Sequence, residues 1–81
     1  MNLVELTEFI VKNLVTDPES VSVKHIQSEE YYILIEVIVS NDDMKCVIGK
    51  SGKIANAIRT IIQASSYANN EKKVKINIDS M

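Results

Sequence analysis

The sequence holds one cysteine, one histidine, one proline, two glycines and no tryptophan. A lone Cys46 closes no internal disulfide, and with His25 the sole histidine there is no Cys/His set of zinc-ligand spacing. A reducing cytosol fits that usage. No uncharged apolar run approaches the ~18 residues of a membrane helix. The opening Met1-Asn2-Leu3-Val4-Glu5 carries an early acid where a secretory leader carries positive charge. Neither export nor membrane insertion is expected. A nucleophile-base pair is missing too: no histidine adjoins Cys46, and Asp42-Asp43 suits helix capping better than acid/base work. No enzyme chemistry, metal or cofactor is expected.

What is present is an ordinary globular composition, 46% hydrophobic and 25% charged over 81 residues. One compact domain, residues 1–81, is the expectation, with a core thin enough that dimerisation is unsurprising. The net charge of −2 argues mildly against a nucleic-acid protein, but the distribution reverses that impression. Residues 1–44 set two basic against nine acidic side chains, a net of −7, whereas residues 45–75 set seven basic against one acidic, a net of +6. A chain so polarised can bind an anion locally.

Leu3, Leu6, Ile10 and Leu14, flanked by Val4, Phe9, Val11 and Val15, recur at helical spacing and predict a helix over about residues 2–15, stopped by Asp17-Pro18. Val21, Val23 and His25 alternate as a short strand, His25 being structural or solvent-facing. Residues 31–39 are rich in β-branched and aromatic side chains and predict a central strand, with Tyr31 sharing the core-facing alternation. Ser40 to Asp43 cap a short helix over 44–48. A longer helix begins at Lys53 with Ile54, Ile58, Ile61, Ile62 and Ser65 on its apolar face, and Val74, Ile76 and Ile78 point inward from a last strand. The order is αββααβ.

Both glycines fall in Gly49-Lys50-Ser51-Gly52, between the two helices. A Gly-x-x-Gly turn lets a helix end approach another backbone without Cβ obstruction and leaves the next helix's first amides free. Such amides, reinforced by Lys50 and Lys53 and by the Ser51 hydroxyl, suit a sugar-phosphate backbone. The nucleotide-binding P-loop fails, because Met44 stands where its first glycine belongs, and the dinucleotide G-x-G-x-x-G fails for want of a third glycine.

Ile48-Gly49-x-x-Gly52 with an apolar residue following resembles the signature of the K-homology (KH) RNA-binding domain, and αββααβ is similar to its type II arrangement. The resemblance covers the whole chain. With the run Ala57-Ile58-Arg59-Thr60 it extends to the small bacterial single-domain proteins of the KhpA/YlqC family, departing at Lys45 and Cys46, where relatives often carry glycine and a basic residue. It implies an α+β fold, a three-stranded mixed sheet with three helices on one face, and a groove for about four unpaired nucleotides. Carried over by position, Gly49, Lys50, Ser51 and Gly52 contact the RNA backbone, with Lys53 beside them, Arg59 further along, and Ile48 and Ile54 on the apolar side. Residues 69–73 add a basic rim. It also implies single-stranded RNA as ligand, a post-transcriptional or RNA-chaperone role, and a homodimer or a heteromer with a larger KH-containing protein of the KhpB (Jag or EloR) type.

The competing reading of the same residues is a protein-interaction adaptor that keeps this fold, using Leu34 and Ile38 or the isoleucines of residues 53–66 as its patch. Edge-strand lysines such as Lys72, Lys73 and Lys75 equally serve to discourage unwanted pairing.

Overall fold

In a computed structural model of the chain, residues 2–69 and 72–81 are described, Gln27 by its backbone only. Helix α1 (Leu3–Lys12) begins on a capping box: Asn2 Oδ1 accepts from the Glu5 amide at 2.8 Å, and Glu5 Oε1 from the Asn2 amide at 3.3 Å. It stops three residues before the expected end because the Asn13 side chain donates to the Phe9 carbonyl at 2.7 Å, satisfying a terminal acceptor before the proline is reached. Its buried stripe centres on Thr7 and Val11, with Leu3, Val4 and Ile10 beside them, while Phe9 is exposed. Thr7 is tolerated there because its hydroxyl donates to the Leu3 carbonyl at 2.7 Å.

The sheet has the order β1-β2-β3, so β2 (Tyr32–Val39) is central as expected. β1 (Ser22–Ser28) pairs with it antiparallel and β3 (Lys73–Ser80) pairs parallel. Parallel pairing requires a long crossover, supplied here by α2 (Met44–Ile48) and α3 (Lys53–Ala68). β1 is longer than its alternation suggested, because an irregularity between His25 and Gln27 resets the register and lets it pair on to Ser28. His25 is exposed.

Register places Ile33 opposite Val74, Ile35 opposite Ile76 and Val37 opposite both Ile78 and Val23. That face carries all three helices: α1 lies on β1 and against α3, α3 lies on β3, and α2 packs on α3. The architecture is the α+β, type II KH arrangement. On the other face Tyr32, Leu34, Glu36 and Ile38 are half-buried, and Lys75 Nζ stands 4.3 Å from the Tyr32 ring centroid.

Two core assignments are corrected. Tyr31 is 78% exposed, because the Glu29 amide donates to the Tyr32 carbonyl at 2.8 Å and closes the hairpin before Tyr31 can join the strand. In α3, Ile61 is 49% exposed while Ser66 is fully buried. The helix is rotated toward β3: Ser66 Oγ donates to the Lys72 carbonyl at 2.6 Å, and Gln63 Oε1 accepts from the Val74 amide at 2.9 Å. Polar side chains thus sew α3 to the sheet along a line that hydrophobicity alone assigns to the surface.

Candidate functional site

Between α2 and α3 the chain makes one tight turn, Lys50–Gly52. The Gly49 amide donates back to the Lys45 carbonyl at 3.0 Å, ending α2, and the Gly52 amide donates to the Gly49 carbonyl at 3.2 Å. Three of the four residues have positive φ: Gly49 at φ 75, ψ 176, Ser51 at φ 56, ψ 27, and Gly52 at φ 75, ψ 13. Gly49 occupies a region essentially confined to glycine, whereas Ser51 and Gly52 are left-handed.

The expected close approach at Gly49 is to a side chain rather than to another backbone: a Cβ there would lie 2.6 Å from Ile54 Cγ1 and 2.9 Å from Ile54 Cβ. A Cβ at Gly52 would meet nothing within 4 Å. The turn therefore has a packed inner corner at Gly49 and an open outer corner at Gly52.

The open corner is electropositive. Gly52 is the N-cap of α3 and brings no capping side chain, and the first turn of that 16-residue helix holds no acid. Lys50, Ser51 and Lys53 are exposed around it, and neither lysine forms a salt bridge among the described residues. Ile48 and Ile54 are half-buried behind the turn.

The structure brings Gly49, Lys50, Ser51, Gly52 and Lys53 together and sets Arg59 apart. The Arg59 Nε and Nη2 donate to the Ile76 carbonyl at 3.4 and 3.3 Å, and Nη1 reaches Asn56 Oδ1 at 3.4 Å, so its guanidinium bridges α3 to β3. Lys72 Nζ is committed to Ser28 Oγ at 3.3 Å and the Glu29 carbonyl at 2.6 Å. Lys73 and Lys75 are exposed on β3, while Asn70 and Glu71 of the expected basic rim lie outside the described residues.

Sequence reasoning missed the role of Asp43. It occupies the N-cap position of α2 yet makes no side-chain capping bond there, correcting the expected role. Only 1% exposed, it reaches back instead: Oδ1 accepts from the Thr16 amide at 2.9 Å and the Thr16 hydroxyl at 2.8 Å, and Oδ2 accepts from the Asp17 amide and the Ser40 hydroxyl, both at 3.0 Å. The Thr16 amide does most to hold this carboxyl down, at about 2 against the usual 3.8; burial opposes the shift and the other three donors add to it. Its donors lie up to 27 residues away, so no local pattern announces them. Cys46, half-buried, points its thiol at the same carboxylate, 3.8 Å from Oδ1. Among the described residues no cluster of His, Cys, Asp and Glu is fit to hold a metal, and no helix is long and apolar enough to cross a membrane.

The family profile for the KhpA/KhpB KH domain matches residues 4–78. The chain is 49% identical over 70 residues to the RNA-binding protein KhpA of Clostridium perfringens, covering 86% of this chain and 92% of the relative. It is 42% identical over 77 residues to the RNA-binding protein KhpA of Borreliella burgdorferi, covering 95% and 92%. Among solved structures, Aquifex aeolicus Era bound to GDP and aluminium fluoride has a TM-score of 0.79 at 16% identity, covering 98% of this chain and 30% of that one. Era in complex with a magnesium nucleotide and nucleotides 1506-1542 of 16S ribosomal RNA has a TM-score of 0.69 at 18% identity, covering 96% and 29%. The likeness to Era is one of fold, and this chain spans less than a third of each Era chain. The profile match across residues 4–78, together with identities above 40% over most of the chain, makes this protein a member of the KhpA/KhpB KH-domain family.

Proposed function

We propose that the protein binds single-stranded RNA, the sugar-phosphate backbone crossing the outer corner of the Gly49–Gly52 turn. The acid-free N-terminus of α3, without a side-chain cap and flanked by exposed Lys50 and Lys53, carries this reading, because it sets the positive end of a 16-residue helix and two ammonium groups before a polyanion at one place. The names of the KhpA relatives and the ribosomal RNA segment in one Era complex favour the same ligand. Lys50, Ser51 and Lys53 engage phosphate, Gly49 and Gly52 shape the turn, and Ile48 and Ile54 line the groove. Arg59 offers a further contact by leaving the Ile76 carbonyl.

One such module, the single KH domain of residues 1–81, holds few nucleotides, so useful affinity comes from pairing two of them. Exposed Phe9, Ile61 and Tyr67 on the helical layer offer apolar surface for a second copy or a KhpB-type partner. The role that fits is a cytoplasmic post-transcriptional regulator or RNA chaperone. Half-exposed Leu34 and Ile38 on the open sheet face favour the adaptor as a second reading.

The test is anisotropy titration of a labelled short random-sequence RNA against the double variant Lys50→Asp, Ser51→Asp. Aspartate tolerates the left-handed backbone of position 51, so the fold is kept. Affinity falls by more than ~10-fold and the salt dependence flattens, since phosphate contacts release fewer counterions. Unchanged binding at every salt concentration, with the melting curve intact, overturns the clamp and favours the adaptor.

A further inference from the structure

α2 is five residues long, too short to hold a helical conformation by itself, and its last residue adjoins Gly49. Beside its packing on α3, the residue at its N-cap position, Asp43, is tied to the rest of the chain through its carboxylate. That group gathers donors from three separate pieces of chain: Ser40 at the exit of β2, Thr16 and Asp17 in the connection from α1 to β1, and Cys46 in α2 itself. The α1–β1 connection has little regular structure apart from a short 3-10 turn at Pro18–Ser20, and this side chain ties it by hydrogen bonds to the start of α2. Each carboxylate oxygen faces a backbone N–H, and an asparagine would turn one of these contacts into donor against donor.

We infer that Asp43 is a positioning residue for the glycine turn, holding α2 so that Gly49 and the open corner at Gly52 are pre-set for ligand. This rests on the RNA-binding reading above for its functional consequence, and on the hydrogen-bond geometry alone for its structural one. Pre-organisation raises affinity by removing the cost of ordering the site on binding. Loss of Asp43 therefore weakens RNA binding beyond what reduced stability explains.

The experiment compares Asp43→Asn and the milder Thr16→Val with Val11→Ala, a core truncation on α1 that makes no hydrogen bond to Asp43. Each is titrated with the labelled random-sequence RNA well below its melting transition, and backbone order at residues 49–52 is read from amide relaxation without RNA. Asp43→Asn is expected to lose roughly 10-fold in affinity and to loosen those amides, with Thr16→Val in the same direction but smaller. Val11→Ala, its melting temperature lowered at least as far, stays within ~2-fold of the parent. If Asp43→Asn does not fold, Thr16→Val carries the comparison. Affinity that simply follows melting temperature across the set, or residues 49–52 as ordered as in the parent, overturns the inference. If the parent binds no RNA, the RNA reading fails, and amide order still decides whether Asp43 positions the turn.

Discussion

The two glycines of the turn have the same φ of 75 and opposite surroundings. Gly49 is pressed against Ile54, whereas Gly52 faces open space. The contrast extends along the segment from residue 43 to 52: its beginning is closed by the Asp43 carboxylate, its end is left uncapped. One half is tied down by packing and hydrogen bonds, and the other is left open. A glycine repeat is thus not one requirement but two, a packing constraint at the first position and a backbone-conformation constraint with free access at the second.

Four changes break or sharpen that comparison. Gly49→Ala should be the most damaging, costing roughly 3 kcal/mol or more in denaturant unfolding, because the glycine-only backbone region and the clash with Ile54 add. A loss below about 1 kcal/mol would mean that the inner corner relaxes freely. Acid probes the other closed end. The Asp43 carboxyl is held at about 2 when folded against an ordinary 3.8, so its contribution to stability is fully present above 3.8 and disappears as pH falls toward and through 2. In that window the parent should lose stability more steeply than Asp43→Asn, as followed by thermal melts; parallel pH profiles would deny the carboxylate its role.

At the open corner, Gly52→Ala should cost only ~1–2 kcal/mol, the left-handed penalty without a clash, and Gly52→Asn less. Equal losses for Gly49→Ala and Gly52→Ala would erase the distinction between the corners. Smallest of all, Ser51→Gly relieves a left-handed non-glycine residue and should raise stability by about 1 kcal/mol or less, since the freer unfolded chain offsets part of the gain. A destabilised Ser51→Gly would show that the serine side chain itself supports the turn.

The glycine turn was legible early because each of its signals is local. Gly49 and Gly52 at a fixed separation, with Lys50 and Lys53 around them, announce a helix break flanked by exposed lysines in a stretch of ten letters. Asp43 was not legible, because an acid before a helix looks like a cap and its actual donors, Thr16 and Asp17, lie in another connection. Arg59 carried the right charge, but nothing in its neighbours told that it would lie on the Ile76 carbonyl. Tyr31 and Ile61 continue an apolar period that the folded chain cuts short, one at a hairpin tip and one on the far side of a rotated helix.

Sequence by itself determined the kinds and order of elements, the central place of the strand ending at Val39, and the position of the glycine turn, since backbone preference and hydrophobic period act over a few residues. Only the tertiary structure decided which face of α3 meets the sheet, which glycine is packed, and where the Asp43 carboxylate finds its donors. Those outcomes depend on satisfying buried polar groups with partners distant along the chain, and such partners exist only once the layers have closed.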